Sequence, residues 1–338
     1  MNNTNNSYFN PPSPVGNKKA KKKGIRFRDV VIFIFVAIGV LMFAMSVMKE
    51  NGYLPEKKEV SVISVQKGNT FYYDQLSDDE QAVYMQLLNT AKSGEMYCEI
   101  EYDNSSRMPK IVYALTNDHP ELYWVYWYGF QDMDIDISAH KTRVKLQLLG
   151  YKSLWDYSSD TLAQSQKLQE AVQQIVTLAN KLPTDEEKAR FVHDYLILTS
   201  SYSYNELDKY YNSKNGDKYD YIFTAYGCLV EHKCVCAGYA KAYQLIMNEL
   251  GIECSYITGK TNKDFGDANH AWNCIDLEKQ NYFTDVTWDD PDLENYVSYD
   301  YYCISTKHLL ESRDLDEEYF SYVICPEDLM KDAEQNAD

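Results

Sequence analysis

The run VVIFIFVAIGVLMFAMSVM, Val30 to Met48, holds neither a charge nor a proline over nineteen residues and is bracketed by Asp29 and Lys49. As a helix it would extend roughly 28 Å, about the thickness of a bilayer's hydrocarbon core. A helix buried in a soluble core keeps a polar face, and this run has none. One membrane span over residues 29–49 is therefore expected. Seven basic residues and no acidic one lie within residues 1–28. The positive-inside bias then leaves the amino terminus in the cytoplasm and the remainder of the chain outside. A cleaved signal peptide, which would make the body secreted, is the competing reading, since AMS near the end of the run offers small residues. The long charged region ahead of it argues for an uncleaved anchor.

Thirty-three basic against fifty-one acidic side chains give a net charge of −18, and the chain without its seven-cation arm carries −25. Such a body repels nucleic acid, so none is expected as a partner. Residues 1–28 are too poor in apolar side chains to fold and read as a disordered arm. A polar tether follows over residues 50–74, then an N-terminal α/β region over 75–180 and a second domain over 181–338. In LSDDEQAVYMQLLNTAKSGE, Ser77 caps a helix with acidic first-turn residues and apolar spacing at Val83, Leu87 and Leu88. MYCEIEY, KIVYALT, LYWVYWYGF and TRVKLQLLGY read as strands.

A helical block follows in DTLAQSQKLQEAVQQIVTLANKL. Past Pro183 another helix is headed by Thr184, with Phe191, Tyr195 and Leu198 along one face. The stretch from Tyr211 to Asp220 is polar and turn-rich. Helices and strands come in blocks, which predicts an α+β fold with an antiparallel sheet. The thirty-one tyrosines read first as amphipathic strand formers, and second as the lining of a groove for peptide or glycan.

Chemistry concentrates in HKCVCAGYAKAY. After Cys236 the positions Tyr239, Ala242, Tyr243, Ile246, Met247 and Leu250 make an apolar helical stripe that Gly251 ends. Cys236 then sits in the first helical turn, where free N–H groups and the positive end of the dipole favour a thiolate. A proton acceptor is offered by His270 in NHAWNCIDLEKQNYFTDVTWDDP, which reads as a hairpin. With its turn at Glu278 and Lys279, Asp285 faces Trp272 and Thr287 faces His270. His270 and Asp285 become diagonal neighbours on one face. Asp285 can then hold the imidazole tautomer and stabilise its charged form.

VCAGYAKAY with LGIEC behind it, then HAWN, then FTDVTWDDP, in this order and spacing, resemble the transglutaminase-like superfamily of papain-like cysteine enzymes. The likeness runs from about Pro183 to Pro291, with weaker echoes in DHPELYWVYWY and YDYYCIS. It implies a cysteine-bearing helix packed on an antiparallel sheet, with Cys236 as nucleophile, His270 as general base and acid, and Asp285 as the orienting acid. Amide bonds of a protein or peptide, a cell-wall peptide among the candidates, would be attacked through a thioester. Neither metal nor organic cofactor is required. Hydrolysis and acyl transfer to an amine share every step up to the thioester, so both stay open. The backbone N–H of Cys236 is one natural oxyanion donor. Papain-type enzymes place a glutamine six residues ahead of the cysteine, where this chain has Val230, and Cys234 stands where glycine is expected.

Blander readings accompany these. His232, Cys228, Cys234 and Cys236 could form a zinc site, but C-x-C lacks the usual gap and no second pair follows. The eight cysteines of an exported body invite disulfides. Cys254 and Cys303 lie in apolar surroundings as buried thiols would. Cys274 or Cys234 could trap Cys236 under oxidation. His193 reads as a structural residue on a helix, while His119, His140 and His308 show no partner pattern. Trp272 and Trp288 would wall the hairpin, and Trp272 could shield the site from water. Asp289 and Asp290 look like turn residues, with calcium as a second reading. Against the enzyme stands a non-catalytic binding or scaffold module of the cell envelope built on the same fold.

Overall fold

The computed structural model describes residues 70–93, 97–100, 107–125, 133–136, 141–145, 154–214, 216–291, 293 and 296–329. The basic arm, the run Val30–Met48 and the tether up to residue 69 lie outside the described residues. Among the described residues no helix is long and apolar enough to cross a membrane.

Helix α1, Asp78–Lys92, begins as its sequence predicts: Ser77 and Glu80 form a reciprocal capping box, with the Ser77 N–H donating to the Glu80 carboxylate at 3.0 Å. Strand β1, Tyr97–Ile100, follows. KIVYALT, expected as a strand, is instead the body of helix α2, Met108–Asp118. Met108, Ile111, Val112 and Leu115 are all buried, and their i, i+3, i+4, i+7 spacing gives one apolar face. Pro109 fits the first turn, where its missing N–H has no helical partner to lose. The β-branched pair Ile111–Val112 had suggested a strand, and helical burial of that face overrides it. At the helix end the buried Asp118 accepts the N–H groups of Tyr72 at 3.1 Å and Tyr73 at 2.9 Å. The last residues assigned to the tether are thereby held against the body.

Strands β2, Met133–Asp136, and β3, Lys141–Lys145, pair antiparallel, and β1 pairs with β3. Helix α3, Leu154–Ala179, precedes α4, Asp185–Thr199. Thr184 caps α4, its Oγ1 accepting the Glu187 N–H at 3.2 Å. Next come β4, Ser201–Tyr202, and α5, Tyr204–Asn212. A 3₁₀ stretch, Gly216–Phe223, occupies much of what reads as turn in the sequence. Helix α6, Ala225–Leu229, and β5, Lys233–Cys234, lead into α7, Cys236–Glu249. Strands β4 and β5 pair in parallel, a short exception to the antiparallel rule.

The main sheet is antiparallel, in the order β8, β7, β6, β9, with β6 at Cys254–Thr261, β7 at Asn269–Leu277, β8 at Gln280–Thr284 and β9 at Arg313–Leu315. Glu278 and Lys279 form the β7–β8 turn, both at positive φ, 54° and 72°, the backbone of a type I′ hairpin. Helix α7 lies across β7 and β6. Asn273 on β7 donates to the Ala240 carbonyl of α7 at 2.9 Å and to the Ser255 carbonyl of β6 at 3.3 Å. One buried cluster draws on α1 through Leu87, α2 through Ile111, α3 through Leu168 and α7 through Tyr243 and Ile246.

Candidate active site

Cys236 is the first residue of α7, behind an extended Val235 whose N–H donates to the Ile222 carbonyl at 2.9 Å. Close approach of helix and strand is possible here because residue 238 is glycine: a Cβ would meet the Cys234 Cβ at 2.5 Å and the Ile222 carbonyl at 2.6 Å. Cys236 is half-buried at a helix start whose backbone N–H groups lack helical partners. Parallel pairing sets Tyr202 opposite Cys234 and brings its phenol near the sulfur. Burial first, then the Cys236 sulfur, holds Tyr202 protonated, and burial, Tyr210 and the same sulfur raise Tyr211.

His270, the second residue of β7, and Asp285, just past the end of β8, are both buried. The expected hairpin register holds from Leu277↔Gln280 to Asn273↔Thr284. There the ladder ends, so Thr287 does not face His270 as a strand residue. Instead the chain turns, with the Asp285 N–H donating to the Tyr301 carbonyl at 3.0 Å and the Trp288 N–H to Asp285 Oδ1 at 3.2 Å. His270 Nε2 lies 2.6 Å from Asp285 Oδ2, which leaves Nδ1 for the sulfur. Burial disfavours the imidazolium. The Asp285 carboxylate and then Cys236, by charge and by hydrogen bonding, outweigh it and raise His270 to about 9. Burial likewise opposes the Asp285 carboxylate, but His270 and Arg313 bring it down to about 2. The Trp272 ring stacks on His270 at 5.9 Å and 29°, and Trp288 lies 5.8 Å away, so both tryptophans wall the imidazole.

Arg313 was not singled out from sequence. Fully buried at the start of β9, it donates through Nε at 3.0 Å and through Nη2 to Asp285 Oδ2. Its guanidinium lies 3.7 Å from the Trp288 ring centroid and 4.5 Å from that of Tyr301. In SRDLDEE it reads as a solvated charge among acids, and no local pattern marks it.

Asp289 does lie in the turn that follows β8, where it is buried, and both it and the partly buried Asp290 have specific partners. Asp289 accepts from His193 Nε2 at 3.1 Å and from the Tyr301 N–H at 2.9 Å, while Asp290 accepts the Tyr239 hydroxyl of α7 at 2.6 Å. The three carboxylates of DVTWDD thus have three separate sets of partners. His193 is fully buried; burial opposes its charge, but Asp194 and Asp289 outweigh it and raise its pKa. His119 and His308 do have carboxylate partners, Glu121 at 2.7 Å and Asp328 at 3.2 Å, and His140 lies outside the described residues.

His232 is exposed, whereas Cys228 and Cys234 are buried. Among the described residues no His, Cys, Asp and Glu side chains gather as metal ligands would. None of the seven cysteines with described side chains is joined in a disulfide, and Cys254 and Cys303 are buried. Cys234 is held as a thiol by burial and by Cys228 beside it. Cys274 is held so by its hydrogen bond with Cys325 and by burial, and it packs with Trp272, Phe283 and Cys325. Of the two suggested traps for Cys236, Cys234 has the sulfur among its electrostatic neighbours.

Residues 172–288 match the model of the transglutaminase-like superfamily, as the sequence resemblance implies. Among solved structures, a TGase is similar at 18% identity and a TM-score of 0.33, over 50% of this chain and 45% of its own. A candidate cysteine protease from Cytophaga hutchinsonii is similar at 14% identity and a TM-score of 0.28, over 46% of this chain and 61% of its own. The periplasmic domain of TgpA from Pseudomonas aeruginosa stands at 16% and 0.25, over 44% of this chain and 53% of its own. The chain therefore spans less than two thirds of the length of each. No curated protein matches it.

Proposed function

We propose that the chain is a cysteine enzyme that attacks a carboxamide or peptide carbonyl through a thioester, held outside the membrane by an anchor at residues 30–48. The observation that carries this reading is the His270–Asp285 pair at 2.6 Å with the Cys236 sulfur bearing on the same imidazole. His270 Nδ1 takes the thiol proton as the sulfur attacks the carbonyl carbon, while Asp285 holds the ring through Nε2–H. The oxyanion is met by the Cys236 backbone N–H and by the Tyr202 hydroxyl, the second donor that the sequence leaves without a candidate. Collapse expels the amine, which leaves with the proton from His270. Water or a second amine then attacks the thioester with His270 again as base. The substrate is a protein or peptide, and the chemistry of these residues needs no bound cofactor.

The test is to quench the full chain in acid after exposure to glutamine-containing and cell-wall peptides, and to identify adducts by mass spectrometry. A thioester on Cys236, absent in Cys236→Ala, is the expected result. Alkylation of Cys236 by iodoacetamide no faster than that of a free thiol at neutral pH, with no adduct formed, would leave a binding module instead. Fractionation with protease protection checks the anchor: the body should stay with membranes and be cleaved from outside.

A further inference from the structure

Arg313 lies on β9, beyond the 172–288 stretch that matches the family model. A buried cation is costly unless its charge and its donors are answered. Here Nε and Nη2 both reach Asp285 Oδ2, the oxygen that also accepts His270 Nε2–H, and Nη1 donates to Ser312 Oγ. The guanidinium also lies over the Trp288 and Tyr301 rings, whose π faces attract a cation. Among the described residues no other cation besides His270 forms an ion pair with Asp285. Other titratable groups around the cluster include Tyr202 of β4, Cys234 of β5 and Tyr211 of α5 beside the sulfur, Asp289 and Tyr301 in the loop, and His308 against the Tyr301 ring.

Charge balance decides what the guanidinium does. With Arg313, a neutral thiol and a neutral imidazole leave the half-buried Cys236 and the buried His270, Asp285 and Arg313 uncharged as a set. After the proton moves from sulfur to ring, two ion pairs again sum to zero. Without Arg313 the lone Asp285 carboxylate is best neutralised by a proton that His270 takes from water, so the base is occupied before the thiol needs it. The neutral His–Asp pair would also stabilise a thiolate less than a pair with an added positive charge.

We propose that Arg313 is a positioning residue of this site, which fixes the Asp285 carboxylate beneath His270 and balances its charge so that the imidazole exchanges its proton with the Cys236 sulfur. The proposal rests on the reading of Cys236, His270 and Asp285 as nucleophile, base and orienting acid. It is tested by the pH dependence of Cys236 alkylation by iodoacetamide in the full chain, followed by mass spectrometry. The native chain should show a lower inflection for thiolate formation and an upper one for loss of the imidazolium proton. Arg313→Gln should move both to higher pH by about one unit or more and slow alkylation near pH 6 about tenfold. Arg313→Lys should restore the inflections but leave the plateau rate below native, because an ammonium lacks the two-pronged fork.

A native circular dichroism spectrum with unmoved inflections in Arg313→Gln overturns the proposal. Should that variant not fold, Arg313→Lys decides. Retained inflections with a lower plateau support the proposal, and a profile superimposable on the native one overturns it. If native Cys236 alkylates no faster than a free thiol at any pH, the enzyme reading itself fails and the proposal falls with it.

Discussion

His193 on α4 donates through Nε2 across 3.1 Å to Asp289, four residues past Asp285, while its Nδ1 donates at 3.0 Å to Asp194. Tyr239 on α7 grips the next residue, Asp290, at 2.6 Å. The loop leaving Asp285 is thus fastened to two helices, one of which begins at Cys236.

Replacing His193 by Ala leaves the buried Asp289 carboxylate without its cation. Breaking one side of such a pair costs about 3–5 kcal/mol, and chemical denaturation should show a loss of that size. A change below about 1 kcal/mol would contradict the fastening role.

Tyr202→Phe removes one hydroxyl beside Cys236 and little volume. If that hydroxyl meets the oxyanion, kcat on any peptide that forms the thioester should fall about 10²- to 10³-fold with KM nearly unchanged. Equal kcat values in the two proteins would send the search for the second donor elsewhere.

The His270–Asp285 pair makes stability depend on pH at both ends. Asp285 is depressed in the fold to about 2, so its contribution is present above the unfolded value of ~3.9 and is lost as pH falls through that range. His270 is raised to about 9, so its contribution is full below ~6.5 and disappears as pH rises through 9. Native and His270→Gln proteins should differ most between pH ~4 and ~6.5, with on the order of 3 kcal/mol of that difference lost by pH 10. Denaturation curves at pH 6 and pH 10 check this, and a difference independent of pH would refute it.

Gly259 pairs with His270 on one side and Leu315 on the other. A Cβ there would meet the Asp314 carbonyl at 2.0 Å and the Trp272 ring at 2.7 Å. Gly259→Ala should therefore push β9 outward and cost about 1–3 kcal/mol. Thermal unfolding measures that cost, and an unchanged Tm would show that the edge strand yields freely.

The hairpin around His270 was legible because alternation and a two-residue turn fix register locally, so the pairing of Asn273 with Thr284 could be counted from the sequence. Cys236 at a helix start followed from the apolar stripe behind it and Gly251 beyond. Helix α2 was misread because a short apolar run such as KIVYALT carries too few residues to separate the two periods. The partners of His193 and Arg313 stayed hidden for a different reason. Asp289 is 96 residues from His193, and Asp285 is 28 from Arg313, and no local pattern records a contact made only when the sheet and helices close. Within DVTWDD the sequence set Asp285 apart as the partner of His270, and only tertiary packing gives Asp289 and Asp290 theirs.

Because Arg313 follows Cys236, His270 and Asp285 in the chain, the guanidinium is the last member of the cluster to be synthesised. A growing chain holds its sulfur, ring and carboxylate before the fourth charge is made. If these residues act as proposed, the site gains its charge balance only once β9 has been made and paired with β6.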